Sequence, residues 1–212
     1  MLERARHGPH PTVAIVHPAP EAALERYSLS EGLHGITHSQ PVRRAVLARL
    51  AADPRARLTL AVAADRIVGW AAVAPSFGRW RALPAVREIG LEVAREWRAG
   101  TRLARALLGT ALADPRTEEE VLLAFALPSS WDLTYKRVHP AVYRRMIAMG
   151  LRRYGFVPLA TDDPEVCSVP EAALFLRAGA RVSAAVLDAV LAARLRTAVR
   201  PSQRIHLPVT AA

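Results

Sequence analysis

The chain has 212 residues, 51% of them hydrophobic, and a formal net charge of +10. This length and apolar content exclude a disordered chain and predict a single domain over residues 1–200, followed by a weakly structured tail at residues 201–212. One cysteine excludes an internal disulfide, and no apolar stretch is long enough to cross a membrane, so we expect a cytoplasmic protein without a membrane partner.

The positive charge raises the question of nucleic-acid binding, but its distribution argues against that function. Arginines are spread along the whole chain, Lys136 is the only lysine, and no basic run alternates with aromatic residues as a base-stacking surface requires. We therefore expect no nucleic-acid partner. The positive field suits a phosphate-bearing small molecule or an acidic protein surface. Histidine and cysteine show no zinc-binding spacing, so we also expect no metal.

The first part of the chain predicts a strand, two helices and a hairpin. Hydrophobic patterns indicate a strand at residues 12–16, helices at 20–26 and 41–51, and paired strands at 57–63 and 67–73. The next loop, residues 75–84, carries Phe77, Trp80 and Arg81. These residues are candidates for exposure, although an aromatic side chain that packs on the sheet fits equally well.

The segment of residues 87–112 combines a strand, a turn and a helix. Polar and apolar residues alternate in the strand, which places two carboxylates, Glu88 and Glu92, on one face. Leucines at helical spacing follow the turn, so Arg102 and Arg105 lie near the start of the helix. The N–H groups of a first helical turn have no partner within the helix. With two arginines beside them, they suit a phosphate group.

The last third of the chain predicts two strands and three helices. Its patterns indicate a strand at residues 121–127, a helix at 139–152, a late strand at 154–157, a helix at 168–179 that begins with a capping box, and a final helix that ends near residue 195. The order of all these elements predicts an α/β fold with a mixed, mostly antiparallel sheet flanked by helices.

The turn after the central strand resembles a known family. Val93, Trp97 and Arg98 are spaced as Val-x-x-x-Trp-Arg before a leucine-rich helix, and this arrangement resembles motif A of the GCN5-related N-acetyltransferase (GNAT) superfamily. The family pattern Arg/Gln-x-x-Gly-x-Gly/Ala is met in part, with Arg102 at a usual glycine position. Residues 131–133 and 159–167 resemble the acetoin-utilisation acetyltransferases, which acetylate a lysine of acetyl-CoA synthetase. The likeness extends from about residue 12 to residue 195.

The resemblance implies a GNAT acyl-CoA N-acyltransferase fold with acetyl-CoA as co-substrate and an acyl-CoA synthetase as protein substrate. The implied acetyl-CoA contacts are Val93, Ala94, Arg98, Gly100, Thr101, Arg102, Leu103, Ala104 and Arg105. Trp131 is the implied substrate contact. The acidic pair Asp162 and Asp163 is a further substrate-binding candidate, because carboxylates attract a cationic acceptor.

Catalysis on a lysine needs a general base, because the amine must lose a proton before it attacks a thioester. Glu88 is the candidate base and Glu92 the alternative, but each also fits a solvated or ion-paired carboxylate. The general acid stays open. Phe175 takes the place of the usual tyrosine if helix 168–179 is the family's fourth helix, whereas Tyr143 or Tyr154 is nearby if helix 139–152 has that role.

Three functions follow from these features. The leading prediction is a protein lysine acetyltransferase. The first alternative is a small-amine N-acetyltransferase, which needs an enclosed acidic pocket. The second is a regulatory module that binds acyl-CoA without catalysis.

Overall fold

The computed structural model describes residues 11–35, 39–99, 101–133 and 137–195. Gly100 and the predicted tail at residues 201–212 lie outside these ranges. Within them the strands are Ala14–Val16 (β1), Ser28–Leu29 (β2), Arg57–Ala63 (β3), Arg66–Pro75 (β4), Val86–Val93 (β5), Val121–Ala126 (β6), Val157–Pro158 (β7) and Ala173–Ala178 (β8). The helices are Glu21–Arg26 (α1), Gln40–Ala52 (α2), Leu103–Leu112 (α3), Pro140–Arg152 (α4), Pro164–Cys167 (α5) and Ala184–Ala193 (α6).

All eight described strands join one mixed sheet. Its order is β1-β3-β4-β5-β6-β8-β7, and β2 pairs with β4 beside this path. The β5–β6 and β2–β4 pairs are parallel, and the other pairs are antiparallel. The predicted fold class, a mixed and mostly antiparallel sheet flanked by helices, is therefore confirmed.

The hairpin of β3 and β4 follows directly from its sequence. Every residue of β3 is buried, as expected for a strand near the centre of a covered sheet. Ala64 and Asp65 form the turn with φ angles of 46° and 58°. A two-residue turn with both residues in the left-handed region matches the twist of the flanking strands. The predicted hairpin is confirmed.

Helix α3 packs closely on one face of the sheet. Its apolar side is buried and consists of Leu103, Ala104, Leu107, Leu108, Ala111 and Leu112. Gly69 on β4 permits the approach, because an added Cβ atom would lie 2.8 Å from Leu107 Cδ1. Helix α2 lies over the opposite face, where its Val46 and Leu50 line a cleft together with Ala74 of β4. The sheet is thus covered on both sides, and buried leucines stabilise each layer by about 1.5–3 kcal/mol per side chain.

The predicted helix at residues 168–179 is wrong. Ala173–Ala178 forms β8, which pairs with β6 along its whole length. The local capping pattern suggested a helix, but Ser168 instead ends the short helix α5, and the apolar run that follows completes the sheet. Phe175 is therefore a buried strand residue opposite Ala124, and it does not occupy a helical general-acid position.

Helix α4 follows β6 and is the better match to the family's fourth helix. Its Tyr143 is fully buried. Tyr154, just after α4, donates a hydrogen bond from its hydroxyl to the Arg105 carbonyl at 2.9 Å. One tyrosine is buried and the hydroxyl of the other is hydrogen-bonded, so we assign neither as the general acid.

The loop at residues 75–84 carries one exposed and one buried aromatic residue. Phe77 is 43% exposed, as predicted, whereas Trp80 is fully buried in the packing between the sheet and α6. Of the two alternatives left open for Trp80, packing on the sheet is the one observed, because this loop folds back on the sheet through a 3-10 turn, Gly78–Ala82. Among the described helices, none combines the length and the apolar character that a bilayer crossing requires.

Candidate active site

The central strands β5 and β6 separate part-way along their length. Their parallel pairing covers Val86 to Glu88 on β5 and then stops. Beyond that point β5 continues beside β4, and β6 continues beside β8. A notch, defined here as the space between β5 after Glu88 and β6, therefore opens in the middle of the sheet. Glu88 lies at its narrow end.

The turn before α3 follows the end of β5 at the wide end of the notch. Arg102 adopts a left-handed conformation, with φ 56° and ψ 17°, and precedes the first residue of the helix. A residue other than glycine costs roughly 1–2 kcal/mol in this region. The Leu103 N–H donates to Thr101 Oγ1 at 3.3 Å, and the Thr101 hydroxyl donates to the Trp97 carbonyl. A left-handed residue just before a helix is also found in known anion-binding turns.

The predicted acetyl-CoA contacts separate into two groups. Arg102 and Arg105 are exposed at the start of α3, where a phosphate can reach them. The other described residues of that set are buried, except for the half-buried Thr101, so most offer backbone groups rather than side chains: Val93, Ala94, Arg98, Leu103 and Ala104. These predicted roles stay predictions.

Arg98 has a structural contact that its motif did not suggest. Its side chain is 1% exposed. Its Nε donates to the Val93 carbonyl at 2.8 Å, and its NH1 donates to Asp132 Oδ2 at 3.0 Å. The guanidinium therefore ties the end of β5 to the segment after β6, rather than standing in solvent as a phosphate ligand.

Asp132 is the buried centre of a cluster of polar side chains, called here the Asp132 cluster and formed with His34, Arg98 and the partly exposed Arg95. Arg95 Nε donates to Asp132 Oδ2 at 2.8 Å, and His34 Nε2 lies 3.3 Å from the same oxygen. The Asp132 side chain is only 4% exposed. Hydrogen bonds between ionised partners are about twice as strong as neutral ones, so the cluster fixes three segments around the wide end of the notch.

Trp131, predicted to contact substrate, lies inside the protein. Its ring stacks on Tyr143 of α4 with a centroid distance of 5.1 Å and an interplanar angle of 21°. The side chain is buried. Stacked aromatic pairs are worth about 0.5–1.5 kcal/mol beyond their buried area. Trp131 therefore holds α4 against the segment that carries Asp132, and the structure does not present its ring to a substrate.

The predicted acidic recognition pair, Asp162 and Asp163, is already bonded to other residues of the protein. Asp162 Oδ1 accepts a hydrogen bond from Arg79 NH1. Asp163 is fully buried, and its Oδ1 accepts from the Glu165 N–H at 3.2 Å as the N-cap of α5. The two carboxylates fasten α5 to the 3-10 turn of Arg79, so the structure does not support their prediction as a site for a cationic acceptor.

Glu88 is buried in the strand pair at the narrow end of the notch. It is 1% exposed, which contradicts the solvated alternative. Its Cα partners are Ala74 on β4 and Leu123 on β6. A carboxylate among apolar strands is a functional-site candidate, since proteins rarely bury such a group without a role. The base assignment itself stays a prediction.

Glu92 lies on the same strand face but has a different environment. Its Oε1 accepts from the backbone N–H groups of His34 and Gly35 at 2.5 and 2.6 Å, and its Oε2 accepts from Trp70 Nε1 at 3.1 Å. It is fully buried. Burial lowers the pKa of the nearby Arg43 guanidinium, and the Glu92 charge opposes that shift. Glu92 therefore holds the loop of residues 30–35 in place, so we assign it structure rather than proton transfer.

The loop of residues 30–35 is pressed against the turn that follows β5. The Arg95 N–H donates to the Gly32 carbonyl at 3.0 Å, and Ser30 Oγ donates to Glu96 Oε1 at 2.5 Å. A Cβ atom at Gly32 would lie 2.8 Å from the backbone nitrogen of Arg95. Glycine is therefore required here for close approach, and the loop forms a rigid wall beside the wide end of the notch.

Two known proteins match this chain over most of its length. It is 29% identical over 177 residues to acetoin utilization protein AcuA of Bacillus licheniformis, covering 81% of this chain and 83% of the relative. The crystal structure of an acetoin utilization protein from Exiguobacterium sibiricum superposes with a TM-score of 0.80 at 25% identity, covering 87% of this chain and 96% of that one. No family model matches the chain.

The fold is also that of an enzyme solved with acetyl-CoA. A GNAT superfamily phosphinothricin acetyltransferase from Sinorhizobium meliloti, in complex with acetyl-CoA, superposes with a TM-score of 0.53 at 15% identity, covering 91% of this chain and 94% of that one. The chain therefore has the fold of the GNAT superfamily. The predicted GNAT fold, the predicted likeness to the acetoin-utilisation proteins and the predicted enzyme class, an acetyl-CoA-dependent N-acetyltransferase, are confirmed.

The sequence did not single out three residues that the fold brings to the site: His34, Arg43 and Asp132. Only Asp132 had a signal, because it lies inside the Trp-Asp-Leu segment that carries the family resemblance. His34 and Arg43 come from loop 30–35 and α2, and no local pattern links them to β5. In the described parts of the chain, no three His, Cys, Asp or Glu side chains are grouped to hold a metal ion.

Proposed function

We propose that this protein transfers the acetyl group of acetyl-CoA to the ε-amine of a lysine on an acyl-CoA synthetase in the cytoplasm. One observation carries the transfer: the notch opens beyond the buried Glu88 and widens toward the start of α3. The acceptor class is supported by the resemblance to the acetoin-utilisation family, whose AcuA member aligns over 83% of its own length.

The donor would bind along the notch. The pyrophosphate of CoA would meet the first-turn N–H groups of α3, with the exposed Arg102 and Arg105 adding positive charge. The extended pantetheine arm would lie beside β5 after Glu88, where the strand no longer pairs with β6. Strand edges bind extended chains through backbone hydrogen bonds. This arrangement would bring the thioester to the narrow end of the notch.

The transfer would proceed in one ternary complex without a covalent enzyme intermediate. Glu88 would accept a proton from the lysine ammonium, and the free amine would attack the thioester carbon. The amide bond forms as the carbon–sulfur bond breaks; the attacking nitrogen gives its second proton to solvent, and the departing thiolate would take a proton from solvent. Solvent is the preferred proton source because Tyr143 is buried and the Tyr154 hydroxyl is already bonded to the Arg105 carbonyl.

The charges near Glu88 favour a protein acceptor over a free amine. A small-amine enzyme needs an acidic pocket, but the cleft between α2 and the loop after β4 is lined by four arginines and one aspartate. A free polyamine would be repelled there. A lysine on a folded partner can still approach, because other residues of that partner can contact this cationic surface.

The test combines the protein, acetyl-CoA and the acetyl-CoA synthetase of the same host, followed by intact-mass and activity measurements on the synthetase. We expect a mass gain of one acetyl group and a loss of synthetase activity, because acetylation removes a lysine charge. Rapid acetylation of free polyamines with an unmodified synthetase would replace this proposal with a small-amine enzyme. Binding of acetyl-CoA with hydrolysis as its only turnover would favour a regulatory module.

A further inference from the structure

A cleft separate from the notch lies between α2, the end of β4, the loop after it and the start of β5. Its volume is about 670 Å³, within the range of small-molecule sites. None of the predicted acetyl-CoA contacts lines it. Ala74 and Val86 line it on the two strands next to Glu88, so the cleft adjoins the narrow end of the notch on the α2 side.

The lining of this cleft is apolar in its body and cationic at its rim. Apolar contacts come from Val46, Leu50, Phe77, Leu83, Pro84 and Val86. Arg55 pairs with Asp53, and Arg87 pairs with Glu120. Arg49 and Arg81 are exposed, and no described residue forms an ion pair or hydrogen bond with either guanidinium. The cleft therefore carries two arginine charges that the protein itself does not neutralise.

A buried hydroxyl adds a second polar feature. Ser76 is 3% exposed and lines the cleft, and its Oγ has no hydrogen-bond partner among the described residues. A buried hydroxyl without a partner costs roughly 1–3 kcal/mol, so the site favours a ligand that supplies an acceptor oxygen. Arginine guanidinium groups and a serine hydroxyl are together the donors that a carboxylate needs.

We propose that this cleft binds a small organic carboxylate with an apolar body. Arg49 and Arg81 hold the charged end, the Ser76 hydroxyl donates to one of its oxygens, and Val46, Leu50 and Phe77 contact the apolar chain. The volume and the apolar body favour a small molecule over an acidic protein surface, which would need a flat or wide face. None of these residues lies in the notch, so the proposal concerns a site beside the notch and not the acetyl-CoA site itself.

The test measures the binding of three probes to the full chain by calorimetry and by NMR shifts: hexanoate, hexanamide and acetate. We expect hexanoate to bind about tenfold more tightly than hexanamide, which has the same body without the charge, and more tightly than acetate, which lacks the body. Added salt should weaken hexanoate binding and leave hexanamide binding unchanged. Shifted NMR signals should belong to residues that line the cleft.

Three variants assign the contacts. Arg49→Gln with Arg81→Gln should remove the preference for hexanoate over hexanamide, and Ser76→Ala should reduce hexanoate affinity several-fold. Arg145→Gln, an exposed arginine on α4, is the matched control and should bind hexanoate like the parent. Unfolding temperatures verify that each variant is folded. Equal binding of hexanoate and hexanamide, or an unchanged preference in the double variant, overturns the proposal. Tighter binding of an acidic peptide than of hexanoate also overturns it in favour of a protein surface.

Discussion

The two ends of β5 use charge in opposite ways. At the end near Glu92, the Glu92 and Asp132 carboxylates are buried and hydrogen-bonded within the protein, Glu92 to N–H groups and Asp132 to the arginines of its cluster. At the end near Val86, the cleft is lined by Arg49 and Arg81, which have no ion-pair partner among the described residues. Paired buried charges hold segments of the protein together, whereas exposed charges without protein partners are available to a ligand.

The same contrast separates the two glutamates of β5. They share one strand face and lie roughly 13 Å apart at about 3.3 Å per residue. Glu92 holds loop 30–35 through two hydrogen bonds and accepts a third from Trp70 on β4, whereas Glu88 lies where β6 leaves β5. We therefore expect substitution of Glu88 to change the reaction and substitution of the paired carboxylates to change stability.

The largest expected effect is on turnover in Glu88→Gln. If Glu88 is the general base, turnover should fall by about two to four orders of magnitude, while acetyl-CoA affinity and the unfolding temperature should change little. Residual activity should rise toward alkaline pH, because the acceptor amine then loses its proton without help. Steady-state kinetics and calorimetric binding of acetyl-CoA measure the two quantities. Full activity would remove the base role from Glu88.

Asp132→Asn tests the paired charges at the Glu92 end of β5. It should lower the free energy of unfolding by about 3–5 kcal/mol, because it leaves the buried Arg98 without its ionised partner. Urea unfolding at pH 7 measures this loss. Asp188→Asn on the exposed face of α6 is the matched control and should stay within about 0.5 kcal/mol of the parent. If both variants unfold alike, the Asp132 cluster does not hold the site together.

Asp114 is a third carboxylate that is paired with arginine, and this pairing makes the stability of the protein depend on pH. Hydrogen bonds from Arg116 lower the pKa of Asp114 to about 2 against the opposing effect of burial, and the Arg57 charge adds to the lowering. Its contribution to stability is therefore complete above the unfolded pKa near 4 and is lost as the pH falls through about 2. Asp114→Asn should cost about 2 kcal/mol at pH 7.

Urea unfolding of the parent and of Asp114→Asn between pH 7 and pH 2 measures that difference. It should stay constant down to about pH 4.5 and shrink below it. Asparagine keeps the acceptor for the Arg116 N–H, so the variant isolates the charge. A difference that does not change with pH would assign the effect to packing.

Arg102→Glu carries the smallest expected effect. Acetyl-CoA affinity should fall about tenfold at low salt, because the new carboxylate repels the phosphates at the start of α3. Added salt should reduce the difference, since the side chain is exposed. Arg66→Glu, exposed at the start of β4, serves as the control for net charge. Unchanged affinity at low salt would move the phosphate site away from this turn.

Local patterns in the sequence were sufficient for several elements. The alternation in β5, the leucine spacing of α3 and the two-residue turn of the β3–β4 hairpin all describe how a short segment buries one face, and each was predicted within a few residues. Residues 168–179 show where such patterns fail. The local capping signal indicates a helix, but Ala173–Ala178 pairs with β6, which lies about 50 residues earlier in the chain. This pairing makes the segment a strand.

Local patterns in the sequence therefore predicted the resemblance to the acetyltransferases, the order of most elements and the candidate status of Glu88 and Arg102. The tertiary structure alone decided that Glu92 binds loop 30–35, that Asp132 joins Arg98 and His34, and that Asp162 is taken by Arg79. A side chain's type and spacing indicate that a charge is present and which face it lies on. Its partner comes from a distant segment, and that partner decides whether the charge serves structure or chemistry.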